Sequence, residues 1–236
     1  MNWFGYQLPI LGYHRVGPFR SDHVPTVSAE SFERQLAFLS RRRYQVLSLE
    51  EVADQLDRGQ RLPRRSVVIT FDDGYEETHT VAWPLLKRFG FPAAVFLATA
   101  EVGLKGFASW PQIAEMARDG MTIGSHTTHH SYLPVVPRDR LQLELVESKR
   151  VIEERIGCPI HFLSYPVGGF TAEVQHIARQ AGYRAACTTN RLSSAGASDR
   201  FALRRIKVTE RDGHLLLFRA KVSGYYDLFR QLKRSS

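Results

Sequence analysis

Ser66-Val67-Val68-Ile69-Thr70-Phe71-Asp72-Asp73-Gly74-Tyr75 is the stretch on which the reading of this chain turns. Apolar and β-branched residues run without alternation into two adjacent carboxylates and a glycine. A run of that kind reads as a strand buried on both faces and ending at a polar mouth. Successive strand side chains point to opposite faces, so two neighbouring Asp cannot both line a site from mid-strand. They can do so from the strand's last residue and the turn after it, and Gly74 permits that turn. Two carboxylates this close repel unless a cation or a shared proton relieves them. The stretch therefore predicts a metal-assisted site at the carboxyl end of a central strand. Taken alone, it describes a strand closed by an Asp-Gly turn equally well.

On either side of this stretch, strand and helix signals alternate. Leu8 to Val16 reads as a first strand with His14 at its end, and Tyr44 to Leu49 as a second. Further strands are expected over Phe91 to Thr99, Met121 to His126, His161 to Pro166, Tyr183 to Thr189 and Phe201 to Val208. Helices are expected behind a Ser28 cap, over Glu50 to Arg58, from Thr78 to Phe89, from Trp110 to near Gly120 and over Thr171 to Ala181. The longest, Pro137 to Ile156, sets Leu141, Leu145, Ile152 and Ile156 on one face and has Pro at its start and Gly157 at its end. With no internal repeat, linker or boundary, residues 1–236 are expected to form a single domain. Alternation of this kind argues an α/β fold with a parallel sheet, closed as a barrel or open and doubly wound. His14, Asp72, Asp73, His126 and Tyr165 all fall at or just past the carboxyl ends of expected strands, the face on which barrels build active sites.

The composition, 43% hydrophobic and 24% charged over 236 residues, is that of a globular protein. Lys and Arg number 32 against 24 Asp and Glu, a net charge of +8. The Arg residues are scattered, no lysine-rich run or nucleic-acid motif is present, and no nucleic acid is expected as a partner. Cys158 and Cys187 form no CxxC pair and read as two reduced core thiols. Met1 to Tyr13 is apolar but lacks a basic start and is interrupted by Pro9, so neither a signal peptide nor a membrane span is expected. The expected location is cytoplasmic, with the basic surface permitting a peripheral contact at the inner face of the membrane. The oligomeric state is not legible. From Asp212 to Ser236, apolar residues alternate with Arg and Lys. That tail reads as a helix capping the fold, with a basic amphipathic helix lying on a membrane as the alternative.

Gly124-Ser125-His126-Thr127-Thr128-His129-His130 is the second informative stretch. His126 and His130 are four apart, so one helical turn would set both on one side. Two neutral imidazoles and one carboxylate supply three ligands and leave positions open for water and substrate, as a catalytic zinc site requires. The same ligand types also suit a two-His-one-carboxylate iron oxygenase.

Thr70-Phe71-Asp72-Asp73-Gly74 together with His126-Thr127-x-x-His130 resembles the signature of the polysaccharide deacetylase family (carbohydrate esterase family 4, NodB homology). The resemblance runs from Tyr13-His14-Arg15 to Arg204-Arg205-Ile206 and is nearest the bacterial exopolysaccharide branch. It implies an irregular (β/α)7 barrel, a divalent cation with Zn2+ expected, and hydrolysis of an N-acetyl group on a glycan of the N-acetylglucosamine type. It makes Asp72 the general base and Asp73, His126 and His130 the metal ligands. His129 would point away, and Thr127 would brace the loop by hydrogen bonding. The family's third motif, usually Arg-x-Pro-Tyr-Gly, stands here as Ser164-Tyr165-Pro166-Val167-Gly168. The backbone N–H at Val167 would hold the oxyanion, and Arg205 from the last strand would replace the missing Arg in orienting the base. The family's late Leu-x-His motif is absent. In the exopolysaccharide branch the general acid comes from the N-terminal strand instead, which points to His14.

The chemistry is coherent on its own terms. An amide resists neutral water, so its hydrolysis needs a polarised carbonyl, a base for the attacking water and an acid for the leaving amine. Tyr75, Tyr165 and Trp110, with Phe170, are candidates to stack on sugar rings. Three alternatives stay open at this point: a deformylase of a lipid-linked amino sugar, a cyclic amide hydrolase, and a non-catalytic glycan-binding barrel.

Overall fold

The computed structural model describes residues 7–20, 22–190 and 199–226. In chain order the strands are β1 (Ile10–Tyr13), β2 (Arg15–Val16), β3 (Thr26–Val27), β4 (Gln45–Val46), β5 (Ser66–Phe71), β6 (Ala94–Leu97), β7 (Thr122–Ser125), β8 (Phe162–Ser164), β9 (Ala185–Thr188) and β10 (Leu203–Lys207). The helices are α1 (Ala29–Arg41), α2 (Leu49–Asp57), α3 (Trp83–Phe89), α4 (Trp110–Arg118), α5 (Arg138–Gln142), α6 (Ser148–Ile156), α7 (Ala172–Gln180) and α8 (Leu215–Lys221). Seven parallel strands run in the order β1-β10-β9-β8-β7-β6-β5, and β1 pairs with β5 to close them into a barrel. The short β4 adds to the outside of β5, and β2 pairs with β3 apart from the barrel. The expected (β/α)7 barrel is the observed fold.

Strand alternation sorts side chains between two cores. On β5, Val67, Ile69 and Phe71 join the layer between barrel and helices, together with Phe32, Leu36 and Leu39 of α1 and Leu86 of α3. Val68 turns inward and packs with Ile10, Ala94, Phe96, Phe162, Ala185 and Cys187 in the barrel interior. Gly124 on β7 makes room there: a Cβ at that position would stand 2.5 Å from the Phe96 ring. The same period of two, carried to the strand ends, sends Thr70 and Asp72, Ser164, and Arg205 into the barrel above this apolar floor. That is why the polar groups collect at one end of it.

Several expectations are refined. The first strand is broken: β1 stops at Tyr13, β2 starts at Arg15, and His14 lies in the gap. The long helix is interrupted by a π-helical turn, Leu143–Glu147, between α5 and α6. A second π turn, Thr78–Ala82, precedes α3. Cys187 is buried as expected, but Cys158 is exposed, because it follows the left-handed Gly157 that ends α6; both thiols are free. α8 caps the fold through Phe218 and Val222, which are buried in the outer core. Residues 227–236 of the expected tail lie outside the described residues. Among the described residues, no helix is long and apolar enough to cross a membrane.

Candidate metal centre

β5 ends at Phe71, and the two carboxylates follow it. Asp72 stays in register with the inward face. Asp73 turns left-handed at φ 70°, followed by Gly74 at 75°, so the second carboxylate swings back over the strand end. β7 ends at Ser125, and His126 and His130 follow on a loop. Here the expectation of a helical turn is corrected: the segment is not helical, and left-handed Thr127 (φ 69°) and His130 (φ 54°) bring the two rings together. Their centroids stand 4.8 Å apart. Left-handed backbone at non-glycine residues is strained and gathers at functional sites. Val167, at φ 55° in the turn after β8, is another instance on the same rim.

One donor atom each from Asp73, His126 and His130 lies within 4.8 Å of the others. His126 Nδ1 donates to the Ser164 carbonyl at 2.7 Å, which leaves Nε2 with its lone pair facing Asp73 Oδ1 at 3.6 Å. His130 Nε2 stands 3.5 Å from the same oxygen. These separations are too long for hydrogen bonds, yet close to the edge of a tetrahedral site, about 3.4 Å for metal bonds of about 2.1 Å. Asp73 Oδ1 is buried and has no hydrogen-bond partner. Burial, then the charges of Asp72 and Glu101, push the Asp73 carboxyl up to about 7, against a hydrogen bond from Tyr75. Burial pushes His126 down to about 4, so its imidazole is neutral, as a metal ligand must be. An orphaned carboxylate oxygen between two ring nitrogens, one of them on an imidazole whose other nitrogen is engaged by a carbonyl, fits a divalent cation.

Asp72 faces a different partner. Arg205 Nη1 donates to Oδ1 at 2.7 Å and Nη2 to Oδ2 at 2.6 Å, and Nη2 also reaches Ser164 Oγ at 2.8 Å. Burial opposes ionisation of Asp72, but the Arg205 guanidinium outweighs it and holds the carboxyl well below the usual carboxylate range. His14 lines the same cavity, and its Nδ1 is buried without a partner; burial pushes the imidazole down to about 4, against the attraction of Asp72.

The cavity holds about 370 Å³. His14, Asp72, Asp73, Tyr75, His126, His130, Tyr165, Val167 and Arg205 all line it, which brings together every residue given a catalytic or metal-binding role in the sequence and two of the aromatic candidates. Trp110 corrects an expectation: it starts α4, packs against the outer core under Arg155 and does not line the cavity. Phe170 stacks on Tyr165 with centroids at 4.9 Å and is likewise not in the lining. Tyr165 is almost wholly buried and donates to the Phe201 carbonyl, so only an edge reaches the cavity. His129 turns outward, while the buried Thr127 hydroxyl has no partner and its backbone N–H braces the loop through Ser125 Oγ. Asp22, His23 and Lys207 also line the cavity and had no motif to reveal them; Lys207 follows Arg205 by two on the inward face of β10, and that spacing was the available signal.

Comparison with known proteins agrees with this geometry. The family model described as polysaccharide deacetylase matches residues 59–186. YxkH of Bacillus subtilis, which carries the same family name, is 32% identical over 203 residues, covering 86% of this chain and 72% of that protein. The poly-β-1,6-N-acetyl-D-glucosamine N-deacetylase of Escherichia coli K12 is 25% identical over 202 residues, covering 67% of this chain; the chain spans only 30% of that relative's length. The solved structure of Streptococcus pyogenes deacetylase PplD in complex with acetate superposes with a TM-score of 0.82 at 26% identity, covering 90% of this chain and 97% of that one. The family match takes in the strand end that carries both Asp residues and the loop that carries both His residues, and the chain belongs to the polysaccharide deacetylase family of metal-dependent amide hydrolases.

Proposed function

We propose that residues 1–236 form one catalytic domain that removes N-acetyl groups from N-acetylhexosamine units of a poly- or oligosaccharide, with Zn2+ held by Asp73, His126 and His130. The observation that carries this reading is the division of labour between the adjacent carboxylates: Asp73 Oδ1 faces two imidazoles without a hydrogen bond, while Asp72 is locked by Arg205 one residue away. The E. coli relative is named for N-acetylglucosamine chemistry and PplD was solved with acetate, which is the acid this reaction releases. The chemistry a divalent cation supplies at such donors is polarisation of the amide carbonyl and acidification of water.

In this reading, Asp72 accepts a proton from the attacking water, and Arg205 fixes the carboxylate in one orientation while it does so. Tetrahedral addition places negative charge on the former carbonyl oxygen, and the Val167 N–H, presented by the left-handed turn, donates to it; such a donor contributes about 3–4 kcal/mol. The nitrogen loses its resonance and becomes basic. Burial disfavours the His14 imidazole as a cation, and the Asp72 charge favours it. His14 relays to the nitrogen the proton that Asp72 took from water, so that the C–N bond breaks to a free amine and acetic acid, which ionises to acetate. Tyr75 and the edge of Tyr165 face the sugar. Two free thiols, one of them exposed, agree with a reducing, cytoplasmic setting, and the net charge of +8 with a peripheral contact at an anionic membrane face.

The test is acetate release from N-acetylglucosamine oligomers by purified protein, before and after chelation and in Asp72→Asn. Metal-dependent release of acetate, rather than formate, that is lost in the variant is the expected result. Equal release with and without metal and Asp72 would overturn the reading.

A further inference from the structure

The loop that carries both imidazoles is held from outside by a group that no step of the reaction uses. We propose that Glu144 is a positioning residue for the metal donors, clamping the backbone between His126 and His130 so that both nitrogens meet Asp73; this rests on the metal-centre reading above.

Glu144 sits on the π-helical turn Leu143–Glu147, in the middle of the longest helical segment, and its side chain is 4% exposed. Its carboxylate is fully used in four contacts to three loop residues, Thr128, His129 and Ser131. Oε2 accepts from the backbone N–H of Thr128 at 3.0 Å and of His129 at 2.9 Å. Oε1 pairs with His129 Nδ1 at 2.8 Å and accepts from Ser131 Oγ at 3.2 Å. Burial opposes its ionisation, but the His129 N–H and ring outweigh that, so the acceptor is a carboxylate and its bonds are of the stronger, charge-assisted kind.

The clamp acts where the backbone most needs one. Thr127 and His130 both hold left-handed angles without being glycine, at about 1–3 kcal/mol each, and such angles persist only where the surroundings over-determine them. From the barrel side, Thr99 N–H and Ala100 N–H reach the carbonyls of Thr127 and Thr128. From the helix side, Ser148, one turn beyond Glu144, pairs with Ser125 Oγ, which in turn accepts from Thr127 N–H. Without Glu144, the backbone N–H groups of residues 128 and 129 lose the acceptor they share, and the segment between the two ligands is free to relax its strain. A site of π-helical widening at a helix that faces the reaction centre is consistent with the general placement of such turns at functional sites.

Zn2+ affinity measured by chelator competition on the full chain tests this directly, in wild type, Glu144→Gln and Glu144→Ala, with melting of the metal-free proteins alongside. The expected result is a loss of affinity of about 10–100-fold in Glu144→Gln, with a metal-free melting temperature close to wild type and, at saturating Zn2+, an unchanged KM for N-acetylglucosamine oligomers. A purely structural role would instead lower the metal-free melting temperature and leave Zn2+ affinity of the folded fraction intact; that result overturns the proposal. Should Glu144→Ala fail to fold, Glu144→Gln decides alone. Wild type that binds Zn2+ while Glu144→Gln binds it equally well sinks only the clamp, whereas wild type that binds no Zn2+ sinks the metal centre and the clamp together.

Discussion

Arg205 and Asp72, 133 residues apart in the chain, meet as two parallel forks, with both side chains almost wholly buried. The fork is extended by Thr70 Oγ1, which accepts from Nη1 at 3.1 Å, and by Ser164 Oγ. Removing one member of a buried ion pair leaves the other charge uncompensated, at about 3–5 kcal/mol. Arg205→Met is therefore expected to lower stability by about that amount in chemical denaturation, and Asp72→Asn added to it to restore part of the loss. Arg205→Lys keeps the charge without the fork and is expected to keep the fold but lose turnover. Strict additivity of the two substitutions would show that the pair is not energetically coupled.

His14 occupies the gap between β1 and β2, where no ladder holds its backbone to a flat strand and its Nδ1 faces no protein partner. As the proton donor to the leaving amine it is expected to contribute about 10²–10⁴-fold to turnover. His14→Ala should show that drop in kcat with Zn2+ content retained. Wild-type turnover in the variant would remove His14 from the reaction.

Asp73 is a buried carboxylate beside another carboxylate, and one of its oxygens is unsatisfied. In the metal-free protein, Asp73→Asn removes a repulsive, desolvated charge, so its melting temperature is expected to equal or exceed wild type. With Zn2+ added the order reverses, because only wild type gains the binding energy, about 2.7 kcal/mol at a hundredfold excess over Kd. A variant that gains as much from Zn2+ as wild type would show that Asp73 is not a ligand.

Much of this site could be read before any coordinates, for a physical reason. β5 is buried on both faces, so its sequence is unbroken hydrocarbon and the first charges must mark its end; Asp72 and Asp73 follow directly. His14 and His126 were legible in the same way, as polar residues placed just past a strand. The pairing of Arg205 with Asp72 was accessible only through the family resemblance, since nothing local to Lys207 or Leu203 announces what lies across a closed barrel. The His126–His130 turn misled because a spacing of four is shared by a helix and by a loop with two left-handed residues. Trp110 misled because a helix-start aromatic looks the same whether it faces a cavity or, as here, lies under Arg155 on the outer core. Glu144 carried a faint signal: a carboxylate three residues after Leu141 and beside Leu145, on the face expected to be apolar.

Glu210, in the turn after β10, receives the start of α1: Oε2 accepts from Ser28 N–H at 2.8 Å, and Oε1 accepts from Ser31 Oγ at 2.7 Å and Ser28 Oγ at 3.1 Å. Partial burial opposes ionisation, and these bonds with the charge of Arg34 outweigh it, so the carboxyl titrates below its ordinary value of 4.5. A depressed carboxyl contributes stability above its unfolded value and loses that contribution as pH falls through the folded one. Glu210→Gln is expected to cost about 1–2 kcal/mol at pH 7. The gap in melting temperature from wild type should close as pH falls through the depressed folded value. A gap that stays constant down to acid unfolding would exclude the charge as its source.

Val167 separates a side-chain role from a backbone one. It is 72% exposed at the cavity rim, holds φ 55°, and is β-branched, so its side chain gains little from burial while its backbone is strained. Left-handed geometry costs an L-residue about 1–2 kcal/mol, and glycine relieves that while losing about 0.4–1 kcal/mol through a freer unfolded chain. Val167→Gly is therefore expected to stabilise the protein by up to about 1 kcal/mol and to keep kcat, because the N–H that would hold the oxyanion remains in place. Val167→Pro removes that N–H and forces φ to about −65°, and should lose both turnover and stability. Melting temperature and acetate release measured on the two variants together decide the matter: if glycine abolishes turnover as proline does, the valine side chain, and not its backbone, is the group the reaction needs.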